Sequence, residues 1–396
     1  MAQGNDVVSS QSLTEETTNT QRQRFFAGTL TSPPESELPT LPVDLLSEIL
    51  CRLPVKLLVQ LRCVCRFFNS LISDPKFAKK HLQLSTKRHH LMLTNDYDYF
   101  HDDHDELVIE LVMYDSTTEN KVIYDSPILS LFSTSDTVDA EPRLYLPSTL
   151  PNELYNKEVL CSCDGMFCGK LNNGSYYLWN PSIRKFKLLP PLENHELIST
   201  LSFGYDHFID NYKVVAVSLK NEVSINTLGT NYWRKTEDIP YSDNICGHGV
   251  FVSGTVNWFA SDVIISLDLE KESYQKLSLP DFENENDSWT LGVVRDCLCV
   301  FASNEIHWDV WIMTEYGNQE SWTKLYTIPS LQDQHFVSAT ALYISEDDQL
   351  LVRCYAYEVV KLVVYDSKTS TLDILEFLND FVYNNAIVYI ESLVSP

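Results

Sequence analysis

One short segment of the sequence places several metal-ligating side chains side by side. Residues 101–106 read His-Asp-Asp-His-Asp-Glu. Imidazole and carboxylate groups are common metal ligands, but known sites draw them from spaced positions in the chain. No further ligand group at a regular spacing accompanies this segment. We interpret it as a solvated connection and expect no bound metal.

The ten cysteines raise the possibility of zinc or disulfide chemistry. They include three C-x-C pairs, at residues 63/65, 161/163 and 297/299. Zinc sites instead combine C-x-x-C with a second pair of cysteines or histidines, which this sequence lacks. Residues i and i+2 of a strand lie on one face, so Cys161, Cys163, Cys297 and Cys299 are interpreted as small buried apolar residues.

The sequence also lacks the usual signatures of catalysis. It has no glycine-rich phosphate loop and no G-x-S-x-G motif. Asp206, Asp268 and Asp366 recur at turn positions, where aspartate commonly accepts hydrogen bonds from nearby backbone. We therefore expect a protein that is not an enzyme and carries no cofactor.

A leucine-rich stretch from Leu41 to Leu82 is the first element that could present a binding surface. It reads LPVDLLSEILCRLPVKLLVQLRCVCRFFNSLISDPKFAKKHL. Apolar residues recur with a period near 3.6, first at positions 45, 46, 49, 50 and 53 and again from 57 to 72. Two or three short amphipathic helices are predicted. So short a segment cannot bury all of these side chains internally, so the surplus must face the rest of the chain or a partner.

This stretch resembles the F-box of plant F-box proteins. The resemblance rests on Leu41-Pro42, on Leu53-Pro54-Val55, on Arg62-Cys63-Val64-Cys65-Arg66 and on the run from Ser70 to Pro75. Phe68 stands where the family usually has tryptophan, and the smaller ring is expected to lower adaptor affinity. The resemblance implies docking on a Skp-type adaptor and, through it, a cullin. The implied contacts come from among Leu41, Pro42, Leu45, Ile49, Leu50, Leu53, Pro54, Val55, Leu58, Leu61, Val64, Cys65 and Phe68.

Charge is distributed unevenly along the chain. The net charge is −26, yet residues 40–90 contain nine Lys/Arg and only three Asp/Glu, a local charge of +6. A chain this acidic is a poor ligand for polyanions, so we expect no nucleic-acid partner. The basic segment suits an acidic protein partner, although it could also be a solvated face.

Residues 1–39 are rich in Ser, Thr, Gln, Glu and Asn, which predicts a disordered tail. No hydrophobic region follows Met1, and no apolar run approaches the ~20 residues of a membrane span. We expect no membrane partner and a location in the cytoplasm, the nucleus or both.

The remainder of the chain is predicted to be mainly β, with a repeated unit. An apolar strand, a polar turn and a closing strand recur, with equivalent positions at Phe186, Trp233, Tyr274, Trp322 and Leu372. The intervals between them are 47, 41, 48 and 50 residues. A second hairpin lies between successive copies, so each repeat holds four strands and has the size of a propeller blade.

Counting from Leu91 gives six repeats, with a weak copy from Leu111 to Pro127, and predicts a six-bladed β-propeller that is irregular in its first blade. The last strand-like run, Phe381 to Val394, has no hairpin partner after it. We expect it to pair with the first blade and close the ring, because closure removes the exposed strand edges.

This region also resembles a known family, the F-box-associated, kelch-like interaction domain of plants. The resemblance rests on Leu178-Trp179-Asn180-Pro181-Ser182, Phe203-Gly204-Tyr205-Asp206, Asp309-Val310-Trp311 and Tyr389-Ile390-Glu391-Ser392-Leu393-Val394. Kelch glycine pairs are largely missing. The expected organisation is a tail at 1–39, an F-box at 40–85 and an irregular kelch-like propeller at 88–396.

Together the two resemblances imply the substrate-recognition subunit of a Skp–cullin–F-box ubiquitin ligase, which would bring a target protein to the complex for ubiquitination and proteasomal degradation. The sequence leaves the identity of the target open. Two alternatives also remain: a ligand- or glycan-sensing propeller, and a competitive F-box protein that binds the adaptor without joining a cullin complex. For the former, loop aromatics would form the binding surface, with Tyr97, Tyr99, Tyr232 and Trp308 as candidates.

Overall fold

The computed structural model describes residues 41–84, 88–94, 123–132, 137–138, 142–144, 157–171, 173–193, 198–240, 245–281, 288–304, 306–330, 338–356, 359–377 and 385–396. The chain divides into two compact units, Met1–Val43 and Asp44–Pro396. The second unit contains the described sheets and the helices from Asp44 onward. The predicted tail at 1–39 lies outside the described residues.

Four short helices precede the sheets, where the sequence predicted two or three. Asp74 explains the additional helix, because its carboxylate accepts a 2.7 Å hydrogen bond from Lys76 N and Pro75 occupies the first helical turn. The turn at residues 62–65 divides the second apolar run into two helices. The helices are α1 (Val43–Leu50), α2 (Val55–Leu61), α3 (Arg66–Ile72) and α4 (Pro75–Leu84).

A composite sheet begins the β region and brings together distant parts of the chain. Its order is β25-β1-β2-β4, and the C-terminal strand is its innermost member because it contacts the first strands of the two neighbouring blades. All six residues of the first strand pair antiparallel with the last strand, from His89 opposite Ile390 to Thr94 opposite Asn385. The strands concerned are β1 (His89–Thr94), β2 (Ile123–Pro127), β4 (Pro142–Leu144) and β25 (Asn385–Ile390), with β3 (Thr137–Val138) pairing elsewhere.

Five further sheets are each built from four consecutive strands. The strand β3 adds to the outer edge of the last of them, parallel to its fourth strand. The sheets are β5 (Lys157–Cys163), β6 (Met166–Leu171), β7 (Tyr176–Asn180) and β8 (Lys185–Leu188); β9 (Ile198–Asp206), β10 (Asn211–Ser218), β11 (Val223–Thr227) and β12 (Arg234–Lys235); β13 (Ile245–Val252), β14 (Thr255–Ala260), β15 (Val263–Asp268) and β16 (Tyr274–Ser278); β17 (Ser288–Val294), β18 (Cys297–Ser303), β19 (His307–Met313) and β20 (Trp322–Pro329); and β21 (Ser338–Ile344), β22 (Gln349–Ala356), β23 (Val359–Asp366) and β24 (Thr371–Phe377).

The innermost strands contact one another around a ring, with β25 lying between β21 and β5. The predicted count of six repeats is corrected to five blades of consecutive strands, and the composite sheet completes the ring. The difference arises in the weak copy at Leu111–Pro127, of which only Ile123–Pro127 is a described strand. The prediction that the C-terminal strand pairs with the first strand of the β region is confirmed.

Apolar residues fill the space between neighbouring sheets. Phe301 and Val310 of one blade, for example, pack in the same cluster as Val352 and Val363 of the next. The predicted hairpin turns are also observed. In three of them both turn residues have positive φ, at Asp164-Gly165, Ser253-Gly254 and Arg295-Asp296, which matches the tight hairpin connections that follow the twist of the strands.

Gly165 occupies a turn over which the end of the C-terminal strand passes. Its φ is +78°, and a Cβ at this position would lie 2.4 Å from Ile390 O and 2.7 Å from Ser392 Oγ. Asn180 holds the same segment from the other side, because its Nδ2 donates to Val394 O at 2.7 Å and to Ser392 Oγ at 3.0 Å. These contacts fix the chain end against the first blade of consecutive strands.

The helices join the β region at two points. Leu393, just beyond the C-terminal strand, is buried in the same cluster as Leu58, Ile72 and Phe77 of the helices. On the other side, Lys79 Nζ of α4 lies 2.6 Å from Asp210 Oδ1 in the turn between β9 and β10. The helical segment is therefore anchored to the propeller by an apolar contact and an ion pair.

A buried ion cluster stabilises the strands that carry this turn. Lys213 Nζ lies 2.7 Å from Asp206 Oδ2 and 3.0 Å from Glu272 Oε1, and donates to Leu269 O at 2.6 Å. Burial acts to raise the pKa of Asp206, but the hydrogen bond from Lys213 and those from the backbone outweigh it, so the pKa lies below its usual value. The pKa of Glu272 is lowered too, since Arg234 and Lys213 outweigh its desolvation.

We expect Gly165→Ala to destabilise the protein more than the matched substitution Gly254→Ala. Both positions have positive φ, +78° and +79°, so both changes carry the same backbone strain. Only at Gly165 does the new methyl group meet backbone, because the nearest atom to a Cβ at Gly254 is His207 Cδ2 at 3.7 Å. The clash is expected to cost a further ~1–3 kcal/mol. Urea unfolding of the two variants measures the difference, and equal midpoints would show that the C-terminal segment does not constrain this turn.

Lys213→Met is expected to lower the free energy of unfolding at pH 7 by ~3–5 kcal/mol, because the buried Asp206 loses its ammonium partner and the half-buried Glu272 keeps only Arg234. Lys235→Met is the control, since the pair of Lys235 with Glu222 is 4.0 Å long and largely exposed, and should cost at most ~1 kcal/mol. Urea unfolding provides the measurement.

The pH dependence gives a second readout of the same cluster. The folded-state pKa values of Asp206 and Glu272 are lowered. The contribution of these carboxylates to the free energy of unfolding is therefore complete above their unfolded-state pKa values of ~3.9 and ~4.3, and it is lost as the pH falls through their folded-state pKa values. The wild-type protein should therefore lose stability more steeply below pH ~5 than Lys213→Met. Parallel curves would contradict this account of the cluster.

Candidate partner-binding surfaces

Exposed apolar side chains concentrate in the first three helices. Of the fourteen large hydrophobic residues that are exposed in the described part of the chain, seven lie between Leu41 and Phe67. On α1, Leu45 and Ile49 are one helical turn apart and about half exposed. Large exposed apolar groups in this density are typical of protein interaction sites. The exposed helical set is Leu41, Val43, Leu45, Ile49, Leu57, Val64 and Phe67.

The helices also contribute to a buried cluster, which Leu393 completes and which contains none of this set. Leu50, Val55 and Leu58 are at most 4% exposed, and they pack with residues of α3 and α4. These three residues belong to the larger set from which the adaptor contacts were expected to come, and the structure buries them in the interior. The apolar run of α1 therefore serves two faces, with Leu46 and Leu50 toward the core and Leu45 and Ile49 toward solvent.

The other expected contact residues are partly or fully accessible. Phe68 packs against the helical core and meets the exposed ring of Phe67 edge-on, with 5.7 Å between ring centroids. Val43, Leu57 and Phe67 are exposed but were not predicted as adaptor contacts. For α1, the double apolar stripe in the sequence is a signal that could have revealed a second, exposed face. The exposed predicted residues are Leu41, Pro42, Leu45, Ile49, Val64 and Cys65, and the half-buried ones are Leu53, Pro54, Leu61 and Phe68.

Basic side chains accompany the exposed helical set. Arg52, Lys56 and Arg66 are exposed in the same three-helix segment. Lys80 on α4 lies 4.0 Å from Glu48, while Lys79 is taken up by the ion pair with Asp210. This segment therefore combines apolar groups with positive charge on a protein whose net charge is −26.

A second candidate surface is the central cavity of the ring. It has a volume of about 1440 Å³ and is lined mainly by the innermost strands β5, β13, β17, β21 and β25. This volume exceeds the ~300–1,000 Å³ of most ligand pockets. Asp164 and Asp296 line it at the hairpin turns, whereas Arg353 reaches it from β22 and bonds to the beginning of β25. Asp164 and Asp296, with the ion-paired Arg295, therefore lie at one end of the cavity, and Arg353 lies toward the other.

The loop aromatics expected for ligand binding do not form a common surface in the described residues. Trp308 is 3% exposed and lies within β19 rather than in a loop, packed against Phe301. Tyr232 is exposed, but it precedes β12 at the outer edge of its blade, away from the cavity. Tyr97 and Tyr99 lie outside the described residues. The expectation for Trp308 is therefore wrong, because burying its ring contributes to packing between strands.

The remaining chemical motifs have structural roles or fall outside the described part. Asp206, Asp268 and Asp366 each accept hydrogen bonds from two backbone N–H groups within the following three residues, as predicted. Cys163 and Cys299 are buried as predicted, whereas Cys161 and Cys297 are only half-buried. Residues 101–106 are not described. Within the described ranges there is no group of three metal-ligating side chains and no helix long and apolar enough to cross a membrane.

Comparison with known proteins agrees with this two-part architecture. Residues 38–80 match the F-box domain, and residues 116–396 match the F-box associated beta propeller domain. The F-box/kelch-repeat protein At3g23880 of Arabidopsis thaliana is 31% identical over 314 residues, which cover 74% of this chain and 80% of that protein. The F-box protein CPR1 of the same plant is 24% identical over 400 residues, covering 90% of this chain and 89% of that protein. Neither matching domain is a catalytic one, and the chain belongs to the family of F-box proteins with an F-box-associated β-propeller domain.

Proposed function

We propose that this protein is the substrate-recognition subunit of a Skp–cullin–F-box ubiquitin ligase. The observation that carries the proposal is the exposed helical set, which accounts for half of the large exposed hydrophobic residues of the described chain. The buried cluster of the helices is built from other residues, so this set is available for another protein. The F-box match supports a Skp-type adaptor as that protein, and the adaptor would in turn link the chain to a cullin.

In this role the protein contributes proximity rather than chemistry. The helices hold the adaptor, and the propeller holds a target protein whose lysines then lie within reach of a ubiquitin-conjugating enzyme on the cullin. Tethering raises the effective concentration of the target and converts an encounter between separate molecules into a step within one complex. Ubiquitination and proteasomal degradation of the target follow. No nucleophile or cofactor of this chain is required, so it is a non-catalytic subunit.

Charge supports the same docking surface. Arg52, Lys56 and Arg66 would steer an acidic adaptor toward the exposed helical set, and an acidic partner would be repelled by the rest of this chain. The proposal places the F-box at residues 40–85 and the propeller at 88–396, and it places the protein in the cytoplasm, the nucleus or both.

The alternatives differ from this proposal in measurable ways. A glycan-sensing propeller finds little support, because Trp308 is buried and Tyr232 lies at an outer blade edge. A competitive F-box protein would make the same adaptor contacts but would not recover a cullin. Affinity purification from cells treated with a proteasome inhibitor, followed by mass spectrometry, tests for adaptor, cullin and target together, and recovery of the adaptor without cullin would favour the competitive role.

The double substitution Leu45→Ala and Ile49→Ala is expected to weaken adaptor binding at least ~100-fold while leaving the fold intact. Both side chains are about half exposed, so their loss costs little within the chain, whereas central interface residues commonly contribute ≥ ~2 kcal/mol each. Binding of a purified Skp-type adaptor, measured by calorimetry, gives the ratio.

The matched control is Leu219→Ala with Ile306→Ala, which removes two apolar side chains that are even more exposed, 64% and 71% accessible, but lie on the propeller. It should bind the adaptor like the wild type. Unchanged affinity of the Leu45/Ile49 variant, with normal circular dichroism, would rule out the helical set as the docking surface.

Phe68→Trp is expected to tighten adaptor binding. Phe68 is half-buried beside the exposed Phe67, so a larger ring can extend toward the partner and supply an additional N–H donor. The competing effect is overpacking of the helical core, which thermal unfolding of the isolated chain detects. Weaker binding by a variant of normal stability would show that phenylalanine is the better fit at this position.

A further inference from the structure

Arg353 is a cation on the wall of the central cavity that has no acidic partner among the described residues. Its two hydrogen bonds are both donated by Nη1, to Asn385 Oδ1 at 2.9 Å and to Ala386 O at 3.1 Å. Its guanidinium carbon lies 5.1 Å from the ring centroid of Tyr355. These neutral contacts hold the guanidinium in place without neutralising it.

The opposite edge of the guanidinium is not used by the protein. Nε has no hydrogen-bond partner in the described structure and is shielded from solvent, so a ligand oxygen reaches it only when the guanidinium turns toward the cavity. Nε and Nη2 together present two parallel N–H groups, the arrangement with which arginine binds carboxylate and phosphate groups. Leaving such a donor unsatisfied is unfavourable, so a ligand oxygen at this edge would be stabilised.

An irregular segment of a neighbouring inner strand presents a second polar group to the cavity. The pairing register of β13 shifts between Cys246 and Val250, and the intervening Gly247 has a φ of +73°. Gly249 fits only because it lacks a side chain, since a Cβ there would lie 2.2 Å from Ser202 Oγ. Bulges of this kind often redirect a side chain toward a functional site. His248 lies within this segment, is solvent-accessible and lines the cavity.

His248 and Arg353 share one electrostatic environment. Burial within the surrounding blades, and secondarily the charge of Arg353, lower the pKa of His248. The neutral imidazole can donate one hydrogen bond without adding a charge. Lys170, on β6, also lines the cavity. Arg353 lies far from the acidic turn at Asp164. The strand β25 runs from Asn385, beside Arg353, to Ile390, beside Gly165. At ~3.3 Å per residue this strand spans ~16 Å.

We propose that the central cavity contains an oxyanion-binding site in which Arg353 binds a carboxylate or phosphate group and His248 and Lys170 assist. The acidic turns at the other end of the cavity would orient the ligand by repelling its negative group. This site goes beyond the ligase role and does not depend on adaptor docking. Its ligand is either a small acidic molecule or an acidic side chain of a bound peptide, since both carry the same chemical group.

The test measures binding of inorganic phosphate and citrate to the full-length chain by equilibrium dialysis and by thermal unfolding at constant ionic strength. Wild-type protein should bind one of them saturably and unfold at least ~2 °C higher in its presence. Arg353→Gln should lose at least ~10-fold in affinity, and Arg353→Lys should be intermediate because it keeps the charge but not the planar donor pair.

Arg295→Gln is the matched control, because Arg295 lines the same cavity but is paired with Asp348 at the other end, and it should bind like the wild type. His248→Ala provides a second variant in case Arg353→Gln fails to fold, and it should weaken binding several-fold. Absence of saturable binding by the wild type, or equal loss in Arg295→Gln and Arg353→Gln, would overturn the site.

The source of the oxyanion is decided by competition with peptides that carry a single glutamate or phosphoserine. If such a peptide displaces citrate or phosphate at a lower concentration than these anions displace the peptide, the site is assigned to a protein target. If the peptide is the weaker competitor, the site is assigned to a small molecule. Adaptor binding measured on Arg353→Gln should equal that of the wild type, so failure of this site and failure of the ligase role are distinguishable.

Discussion

The pairing of the last strand with the first strand of the β region is the constraint on which the rest of this structure depends. β25 supplies the innermost strand of the composite sheet, and its six-residue ladder with β1 removes the strand edges that an open array of blades would expose. The residues that follow are held by Asn180 and pass over Gly165. Leu393 then enters the helical core. A single C-terminal segment therefore closes the ring, shapes one wall of the cavity and anchors the helices.

Two cations inside the propeller illustrate how the protein uses charge. Lys213 is surrounded by Asp206, Glu272 and a backbone carbonyl, so its charge is balanced and serves to hold neighbouring blades together. Arg353 is held by an amide, a carbonyl and an aromatic ring, so its charge is positioned but not balanced. The chain has a net charge of −26, and no described carboxylate pairs with this cation. The contrast separates structural ion pairing from a group that is suited to a ligand.

The helices and the cavity divide the surface between two kinds of partner. The helical segment offers exposed apolar groups and positive charge at its surface while keeping Leu50, Val55 and Leu58 for its own core. The helices join the propeller through Leu393 and through the turn that carries Asp210. These contacts lie at the end of the ring where the strand β25 ends. Arg353 lies at the opposite end, beside Asn385, where β25 begins. A protein built in this way can hold one partner at its helices and another in its ring.

The sequence by itself determined the elements with strong local signals. Helical periodicity located the F-box, and the 41- to 50-residue recurrence of aromatic and apolar positions located the blades. Turn residues such as Asp268 and Asp366 marked the hairpins. Each of these features depends on residues that are neighbours along the chain. Tertiary structure alone decided which apolar residues are available: Leu45 and Leu50 look alike in sequence, and only packing against α3 and α4 buries the second. It also decided that β3 joins the last blade and that Trp308 is interior. Arg353 and His248 are 105 positions apart and become a candidate site only because closing the ring brings their blades around one cavity.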